Sequence, residues 1–260
     1  MNEVNKTLYI PLYGKAYVSK KGLFIQDKNA EEIWEKEKFP LKGKAKSKWL
    51  AYYMGIRSAV FDEWLKQRLQ QEQNAVVIHI GCGMDGRAAR INAPNLWYDV
   101  DFPEVIQERA RYYPQTETYQ TVGCDVRETT WAEDIPKGET AIVVMEGVSM
   151  YLTLEECKGV ICALEKRFQR LLWIVDCYTP LAAKLSKYKN PVKTVGVNKV
   201  YGVENPKLLQ TQNCAFSKEL EMTPKRYIQQ LKSFEKVVFQ TLYAGGLSKK
   251  LYKLYTYETK

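Results

Sequence analysis

From Val76 onward, short runs of apolar residues alternate with amphipathic stretches along the chain. Such runs are typical of strands buried on both faces, and their alternation with helices indicates an α/β fold with a mostly parallel sheet. The predicted strands are residues 76–80, 96–100, 118–122, 141–145 and 171–176. The predicted helices between them are residues 87–92, 104–112, 129–133 and 154–168, the last beginning with a capping box at Thr153 and Glu156.

The two ends of the chain have other patterns. Residues 30–37 and 47–70 have helical periodicity, so we expect residues 1–70 to form a helical cap on a core formed by residues 71–260. Residues 181–215 have few periodic apolar positions, which favours a long insertion that covers a substrate. Near the C-terminus the pattern predicts a helix over residues 224–234, then strands 236–243 and 251–258 as a hairpin around Gly245-Gly246.

The composition is that of a packed globular protein, with 45% hydrophobic and 27% charged residues. No apolar run is long enough to span a membrane and no signal peptide is present, so we expect a cytoplasmic protein with no membrane partner. The six cysteines form no CxxC pair, so we expect neither a disulfide nor a metal site. The single histidine, His79, lies within a predicted buried strand and is interpreted as a core residue.

The formal net charge of +9 is spread over several separate stretches. We interpret most of it as a solvated surface, with attraction of an acidic small substrate as an alternative. We do not expect a nucleic-acid partner, although the charge keeps an RNA-binding or RNA-modifying protein among the alternatives. The sequence carries no indication of the oligomeric state.

Four of the predicted strands end in glycines or carboxylates. The first runs into Gly81-Cys82-Gly83, and the next three are followed by Asp101, Asp125 and Glu146. Because the carboxyl ends of parallel strands meet at one edge, where α/β proteins bind cofactors, we expect a nucleotide cofactor there. The glycine spacing does not exclude NAD, but the lack of a catalytic histidine or a Tyr-x-x-x-Lys pair weighs against hydride transfer.

Three strings in this region resemble the leucine carboxyl methyltransferase family, in particular its bacterial branch of polyketide O-methyltransferases. They are residues 80–85 (IGCGMD), 98–106 (YDVDFPEVI) and 146–152 (EGVSMYL), and the similarity extends over roughly residues 14–180. The resemblance implies a class I S-adenosylmethionine-dependent methyltransferase fold, which is Rossmann-like with seven strands and a C-terminal antiparallel hairpin. It also implies S-adenosyl-L-methionine as the cofactor.

The resemblance assigns roles to individual residues. It implies that Gly81 and Gly83 form the cofactor loop, that Asp101 binds the ribose and that Asp125 with Val126 contacts the adenine. Glu146 would lie near the methionine amino group, and Arg57 would bind the methionine carboxylate, although Asp62 is an alternative, structural partner for it. A lysine of the N-terminal segment would join Arg57; we choose Lys21, with Lys20 and Lys15 as alternatives. Tyr151 matches a tyrosine near the acceptor, where simple packing is an equal alternative, and we take it as the catalytic candidate.

The expected function is transfer of a methyl group to an oxygen of a small molecule, such as a secondary metabolite. A carboxylate, with a pKa near ~4, is already ionised at neutral pH, whereas a phenol near ~10 needs a base. With no histidine expected in the site, a carboxylate acceptor is favoured and a hydroxyl acceptor remains open. Methylation of a protein C-terminal carboxylate, as in the eukaryotic branch, is the alternative that the resemblance implies.

Overall fold

Seven strands form a single sheet in the computed structural model, which describes residues 8–39, 41, 43–186 and 199–260. The order across the sheet is β3-β2-β1-β4-β5-β7-β6, with β1 to β5 parallel and β7 antiparallel to both neighbours. The strands are β1 (Val76–Ile80), β2 (Trp97–Asp101), β3 (Tyr119–Gly123), β4 (Gly138–Met145), β5 (Phe168–Tyr178), β6 (Cys214–Leu220) and β7 (Tyr252–Thr259). The predicted fold class is confirmed.

The helices flank this sheet. They are α1 (Tyr9–Lys20), α2 (Lys28–Glu37), α3 (Lys48–Gln71), α4 (Arg87–Ile91), α5 (Pro103–Arg109), α6 (Leu154–Glu165), α7 (Pro180–Ser186), α8 (Lys225–Ile228), α9 (Ser233–Leu242) and α10 (Gly246–Lys249). Single 3-10 turns lie at Gly43–Lys46, Thr129–Asp134, Ser149–Tyr151 and Pro206–Leu209. The predicted capping box of α6 is confirmed, since Thr153 Oγ1 accepts from Glu156 N at 3.2 Å and Glu156 accepts from Thr153 N at 2.7 Å. Helix α1 was not predicted.

The sheet is covered on both faces. On one face α6 and the Thr129–Asp134 turn pack on the apolar side chains of β1, β4 and β5. On the other face α3 buries Ile56, Phe61 and Leu65 in the same core as Val77 and Leu172. The N-terminal helices therefore share the main core with the sheet, because the buried side of α3 needs an apolar surface to pack on.

The predicted hairpin of residues 236–243 with 251–258 is wrong. Residues 236–243 belong to α9 and its end, and the strand beside β7 is β6, which comes earlier in the chain. The predicted helix over residues 224–234 is interrupted between α8 and α9. The β-branched and aromatic residues of this stretch suit a strand, but helical spacing brings Phe239 and Tyr243 into a stack with centroids 5.5 Å apart, and Phe239 is fully buried.

The proposed insertion of residues 181–215 can be followed in part, because residues 187–198 lie outside the described residues. Before that gap the chain forms α7, and after it the backbone returns to the sheet. There Tyr201 N donates to Met150 O at 2.8 Å and Val203 N donates to Tyr178 O at 2.7 Å. No helix in the described part of the chain is long and apolar enough to cross a membrane.

Candidate active site

A cavity of about 390 Å³ lies at the carboxyl edge of the parallel strands, between the sheet and the N-terminal helices. Its wall is formed by the loop after β1, the ends of β2, β4 and β5, the start of β7, and side chains of α1, α3 and α7. The strand order reverses between β1 and β4, which is where ligands bind in open α/β sheets.

The glycine loop after β1 requires glycine at two positions. Gly81 and Gly83 have φ angles of +67° and +51°, which side chains disfavour. A Cβ at Gly81 would also lie 2.1 Å from Cγ2 of Val148. Gly83 N donates to Asp101 Oδ2 at 2.7 Å, so the loop is held against the end of β2.

The two aspartates of β2, Asp99 and Asp101, have different environments. Asp101 lines the cavity and accepts a second hydrogen bond from Phe102 N at 2.8 Å, and burial raises its pKa to about 6. Burial would also raise the pKa of Asp99, but the Arg109 guanidinium and His79 outweigh it and hold this pKa at about 2. Asp99 is thus a structural anion and Asp101 is the carboxylate at the rim.

His79 is a core residue, as predicted. Its Nδ1 lies 3.1 Å from Asp99 Oδ1 and its Nε2 lies 3.2 Å from Arg87 Nη1. Burial lowers its pKa, so the ring stays neutral at neutral pH. Both nitrogens have protein partners, which leaves this imidazole unsuited to act as a base.

Arg57 is buried at the cavity wall and contacts the ends of β4 and β5. Its Nε donates to Glu146 Oε1 at 3.0 Å, and its Nη1 donates to Asp176 Oδ2 at 3.2 Å and to the Tyr252 hydroxyl at 2.9 Å. The alternative prediction that Asp62 is the partner of Arg57 is wrong, because other arginines bind that carboxylate.

Those arginines, Arg87 and Arg90, were not found from the sequence. Arg87 is fully buried and bridges Glu146 and Asp62, while Arg90 joins Asp62 to Asp85 and Asp27. Burial would raise the pKa of Glu146, but Arg87 and Arg57 hold it at about 2. The available signal was the sequence Asp85-Gly86-Arg87, which places a guanidinium in the first turn after a cofactor loop.

We call this cluster the buried ion network. Its members are Lys15, Arg57, Arg87, Arg90, Asp27, Asp62, Asp85, Glu146 and Asp176.

The lysine that reaches the cavity is Lys15, one of the two alternatives to the chosen Lys21. Lys15 Nζ lies 2.7 Å from Asp85 Oδ2 and the residue is only 4% exposed. Lys21 is exposed, lies 5.0 Å above the Tyr17 ring and is not part of the cavity wall, and Lys20 pairs with Glu35. The choice of Lys21 is therefore corrected: Lys15 lies within α1, facing the sheet, whereas Lys21 follows the end of that helix.

Asp125 and Val126 are not part of the cavity wall. They follow β3 on the same edge of the sheet, where Cys124 N donates to Asp101 O at 2.8 Å. The Asp125 carboxylate accepts from Arg127 Nε at 2.9 Å, and Val126 packs against the core.

Much of the remaining cavity wall is apolar or aromatic. Tyr151 lines the cavity together with Tyr53, Tyr178 and Tyr252. The apolar side chains there are Leu50, Met54, Met150, Leu185 and Leu251. Burial raises the pKa of both Tyr53 and Tyr252, so these phenols stay protonated, and the Tyr252 hydroxyl donates to Asp176 Oδ2 at 2.5 Å. Within the described ranges, no group of His, Cys, Asp and Glu side chains could hold a metal ion.

Comparison with known proteins agrees with this geometry. The profile of the family described as leucine carboxyl methyltransferase matches residues 5–164. The tetracenomycin polyketide synthesis O-methyltransferase of Streptomyces glaucescens is 28% identical over 187 residues, which cover 70% of this chain and 69% of that protein. An S-adenosyl-L-methionine-dependent methyltransferase of Gibberella zeae is 24% identical over 174 residues, or 61% of this chain and 58% of that protein.

Solved structures with low sequence identity share the fold. The magnesium protoporphyrin IX methyltransferase of Synechocystis, crystallised with S-adenosylhomocysteine, superposes with a TM-score of 0.51 at 13% identity, covering 88% of this chain and 94% of its own. With the family profile matching more than half of the sequence, the chain belongs to the leucine carboxyl methyltransferase family and is an S-adenosylmethionine-dependent methyltransferase.

Proposed function

We propose that the cavity binds S-adenosylmethionine in an orientation set by its charged end, and that the enzyme methylates an oxygen of a small molecule. The observation that carries this proposal is the placement of two buried cations, Lys15 and Arg57, beside the glycine loop, with the Asp101 carboxylate in the same cavity wall. A ligand with a carboxylate at one end and ribose hydroxyls further along matches this spacing of charge.

Asp101 suits the ribose. Each of its oxygens accepts one backbone N–H, which leaves lone pairs that can accept hydrogen bonds from two hydroxyls. The tight turn at Gly81 and Gly83 lets the backbone approach the ligand closely. We propose that the adenine end lies beyond Asp101, towards Asp125 and Val126, which follow on the same edge.

Arg57 and Lys15 suit the methionine carboxylate. In the described part of the chain, Nη2 of Arg57 makes no hydrogen bond, while Nε and Nη1 are used within the protein. The N–H groups of Nη2 can still donate charge-assisted hydrogen bonds to a carboxylate. We propose that Glu146, which stays ionised with a pKa of about 2, faces the methionine ammonium.

The bound cofactor supplies an electrophilic methyl group on a sulfonium. What the protein supplies is alignment and exclusion of water, since an in-line displacement needs the acceptor oxygen held behind the methyl carbon. The apolar wall of Leu50, Met54 and Met150 excludes water from that part of the cavity. We propose that Tyr151 helps to hold the acceptor.

A carboxylate is the acceptor that this wall favours. Tyr53 and Tyr252 are protonated and His79 is engaged on both nitrogens, so none of these side chains is a ready base for a neutral hydroxyl. A carboxylate needs no base, because it is already ionised at neutral pH. The Streptomyces relative is named as an O-methyltransferase of polyketide synthesis, which supports a small-molecule oxygen acceptor.

Calorimetry with S-adenosylhomocysteine tests cofactor binding. Micromolar or tighter binding is expected, and Asp101→Asn should weaken it by ~1–3 kcal/mol because charged hydrogen bonds are lost. Binding of NADH without binding of S-adenosylhomocysteine would contradict the proposal.

The acceptor is tested by incubation with methyl-labelled S-adenosylmethionine and a panel of small aromatic acids and phenols. An ester releases the label as methanol in mild base, whereas an ether retains it.

A further inference from the structure

Four of the most exposed large apolar side chains among the described residues lie in one short stretch, residues 234–247. Phe234, Val237, Leu242 and Leu247 are 74%, 64%, 67% and 67% exposed. On α9, Phe234 and Val237 lie on the side opposite the buried Phe239, as their helical spacing requires. Single exposed leucines are common, but a concentration of this kind indicates a contact surface.

The same stretch is strongly basic. Residues 225–253 contain seven cations and a single acidic residue, Glu235, which is bound by Lys48 and Tyr52. Three of the cations pair with glutamates from elsewhere, namely Glu63, Glu219 and Glu221. The remaining four form no ion pair with any described residue: Lys225, Lys232, Lys236 and Lys250. We call the exposed side chains of residues 225–250 the C-terminal surface.

The charge of this surface selects among possible partners. A second copy of the chain would bring like charges together across a symmetric interface, which is unfavourable. An anionic partner is favoured. The apolar side chains project outward from a helix, with lysines beside them, and this is the pattern of helices that lie in the interface of an anionic bilayer.

The C-terminal surface also adjoins the cavity. Leu251 and Tyr252, which directly follow the C-terminal surface in the chain, line the cavity, and the Tyr252 ring stacks on Tyr53 of the cavity wall with centroids 6.2 Å apart. Leu185 of α7 also lines the cavity and is 47% exposed. Apolar residues thus continue from the C-terminal surface to the wall of the cavity.

We propose that the C-terminal surface binds anionic lipid bilayers peripherally, with Phe234 and Val237 inserted among the lipids and the lysines on the headgroups. The sequence predicts no membrane partner, but peripheral binding requires neither a spanning segment nor a signal peptide. One consequence rests on the proposed function: the cavity opens beside the bilayer, so the acceptor is an apolar molecule that dissolves in lipid.

Vesicle sedimentation tests the surface without any methyl acceptor. The full chain is mixed with vesicles of phosphatidylcholine alone or of equal parts phosphatidylcholine and phosphatidylglycerol, at low and at high salt. We expect binding to the anionic vesicles that weakens as salt rises. The double variant Phe234→Glu/Val237→Glu should lose at least about tenfold of the partition coefficient, and Lys232→Gln and Lys236→Gln about fivefold each.

The matched control is Leu208→Glu, which changes an exposed leucine of the Pro206–Leu209 turn outside the C-terminal surface. It should bind vesicles like the unchanged chain, and all variants should keep their affinity for S-adenosylhomocysteine. Absence of binding to anionic vesicles, or equal loss in Leu208→Glu and in the double variant, would overturn the proposal. So would a dimer in solution that the double variant dissociates. Vesicle binding without S-adenosylhomocysteine binding would refute the proposed function instead.

Discussion

The cations beneath the cavity and the lysines of the C-terminal surface carry the same charge in opposite surroundings. Lys15, Arg57, Arg87 and Arg90 are at least nine-tenths buried and face five carboxylates of the buried ion network. Lys232, which precedes α9, and Lys236 within it have no such partner among the described residues. Removing a charge from water is so unfavourable that the buried group needs partners, whereas water and salt already screen the exposed one.

The comparison explains where the net charge of +9 is located. The buried ion network contains four cations and five carboxylates, so it contributes no excess of positive charge. The excess lies at the surface, where it is available to partners. Net charge alone therefore indicates solubility and association, and not the chemistry of the site.

The largest effect is expected from Arg87→Met. This change leaves Glu146 and Asp62 buried with one cation fewer each, at a cost of ~3–5 kcal/mol in the free energy of unfolding. Chemical denaturation measures it. The control Arg111→Met removes an exposed arginine that pairs with Glu108 and Glu37 and should leave the melting temperature close to that of the unchanged chain. Equal losses of stability in Arg87→Met and Arg111→Met would contradict the distinction between buried, paired cations and exposed ones.

Arg57→Met should reduce both stability and cofactor affinity. Arg57 holds Glu146 and Asp176 and lines the cavity, so S-adenosylhomocysteine binding should weaken by ~2–4 kcal/mol. Calorimetry and thermal unfolding on the same variant separate the two roles. If the affinity is unchanged while stability falls, Arg57 is purely structural.

Lys15→Met and Lys21→Met form a matched pair on one helix and its end. Because only Lys15 reaches the cavity, its loss should weaken S-adenosylhomocysteine binding by ~1–3 kcal/mol, while Lys21→Met should leave the dissociation constant unchanged. The reverse result would restore the assignment made from the sequence.

Cofactor affinity should depend on pH through Asp101. Burial raises the pKa of this carboxyl to about 6, and only the ionised form accepts hydrogen bonds from both ribose hydroxyls. Affinity should therefore fall by about tenfold between about pH 7.5 and about pH 5. Glu146, with a pKa of about 2, stays ionised over this range. Calorimetry with Asp101→Asn assigns the pH dependence to this residue, since the variant should bind S-adenosylhomocysteine weakly and with an affinity that does not change with pH.

The smallest effect is expected from Lys236→Ala, because its ammonium pairs with no described carboxylate. The free energy of unfolding should change by no more than ~0.5 kcal/mol, as is usual for surface substitutions. A loss comparable to that of Arg87→Met would show that the C-terminal surface is structural.

The sequence by itself determined the five parallel strands of the sheet and the edge at which glycines and carboxylates follow them. Buried parallel strands appear as continuous apolar runs, so β1 to β5 were predicted within a few residues, and Gly81, Gly83 and Asp101 follow directly from strand ends. The capping box at Thr153 is a purely local signal and could also be predicted from the sequence. Each of these features depends on residues that are close together in the chain.

Only the tertiary structure decided the features that join distant segments. Residues 236–243 have a local pattern compatible with a strand, and it is the packing of Phe239 on Tyr52 of α3 that makes them helical. Arg57 contacts Glu146, Asp176 and Tyr252, which lie 89, 119 and 195 positions away in the chain. Lys15 reaches Asp85, and Lys21 does not, because of the way α1 packs against the sheet. Such contacts leave no periodic pattern, because they depend on where whole elements pack and on the requirement that buried charges be paired.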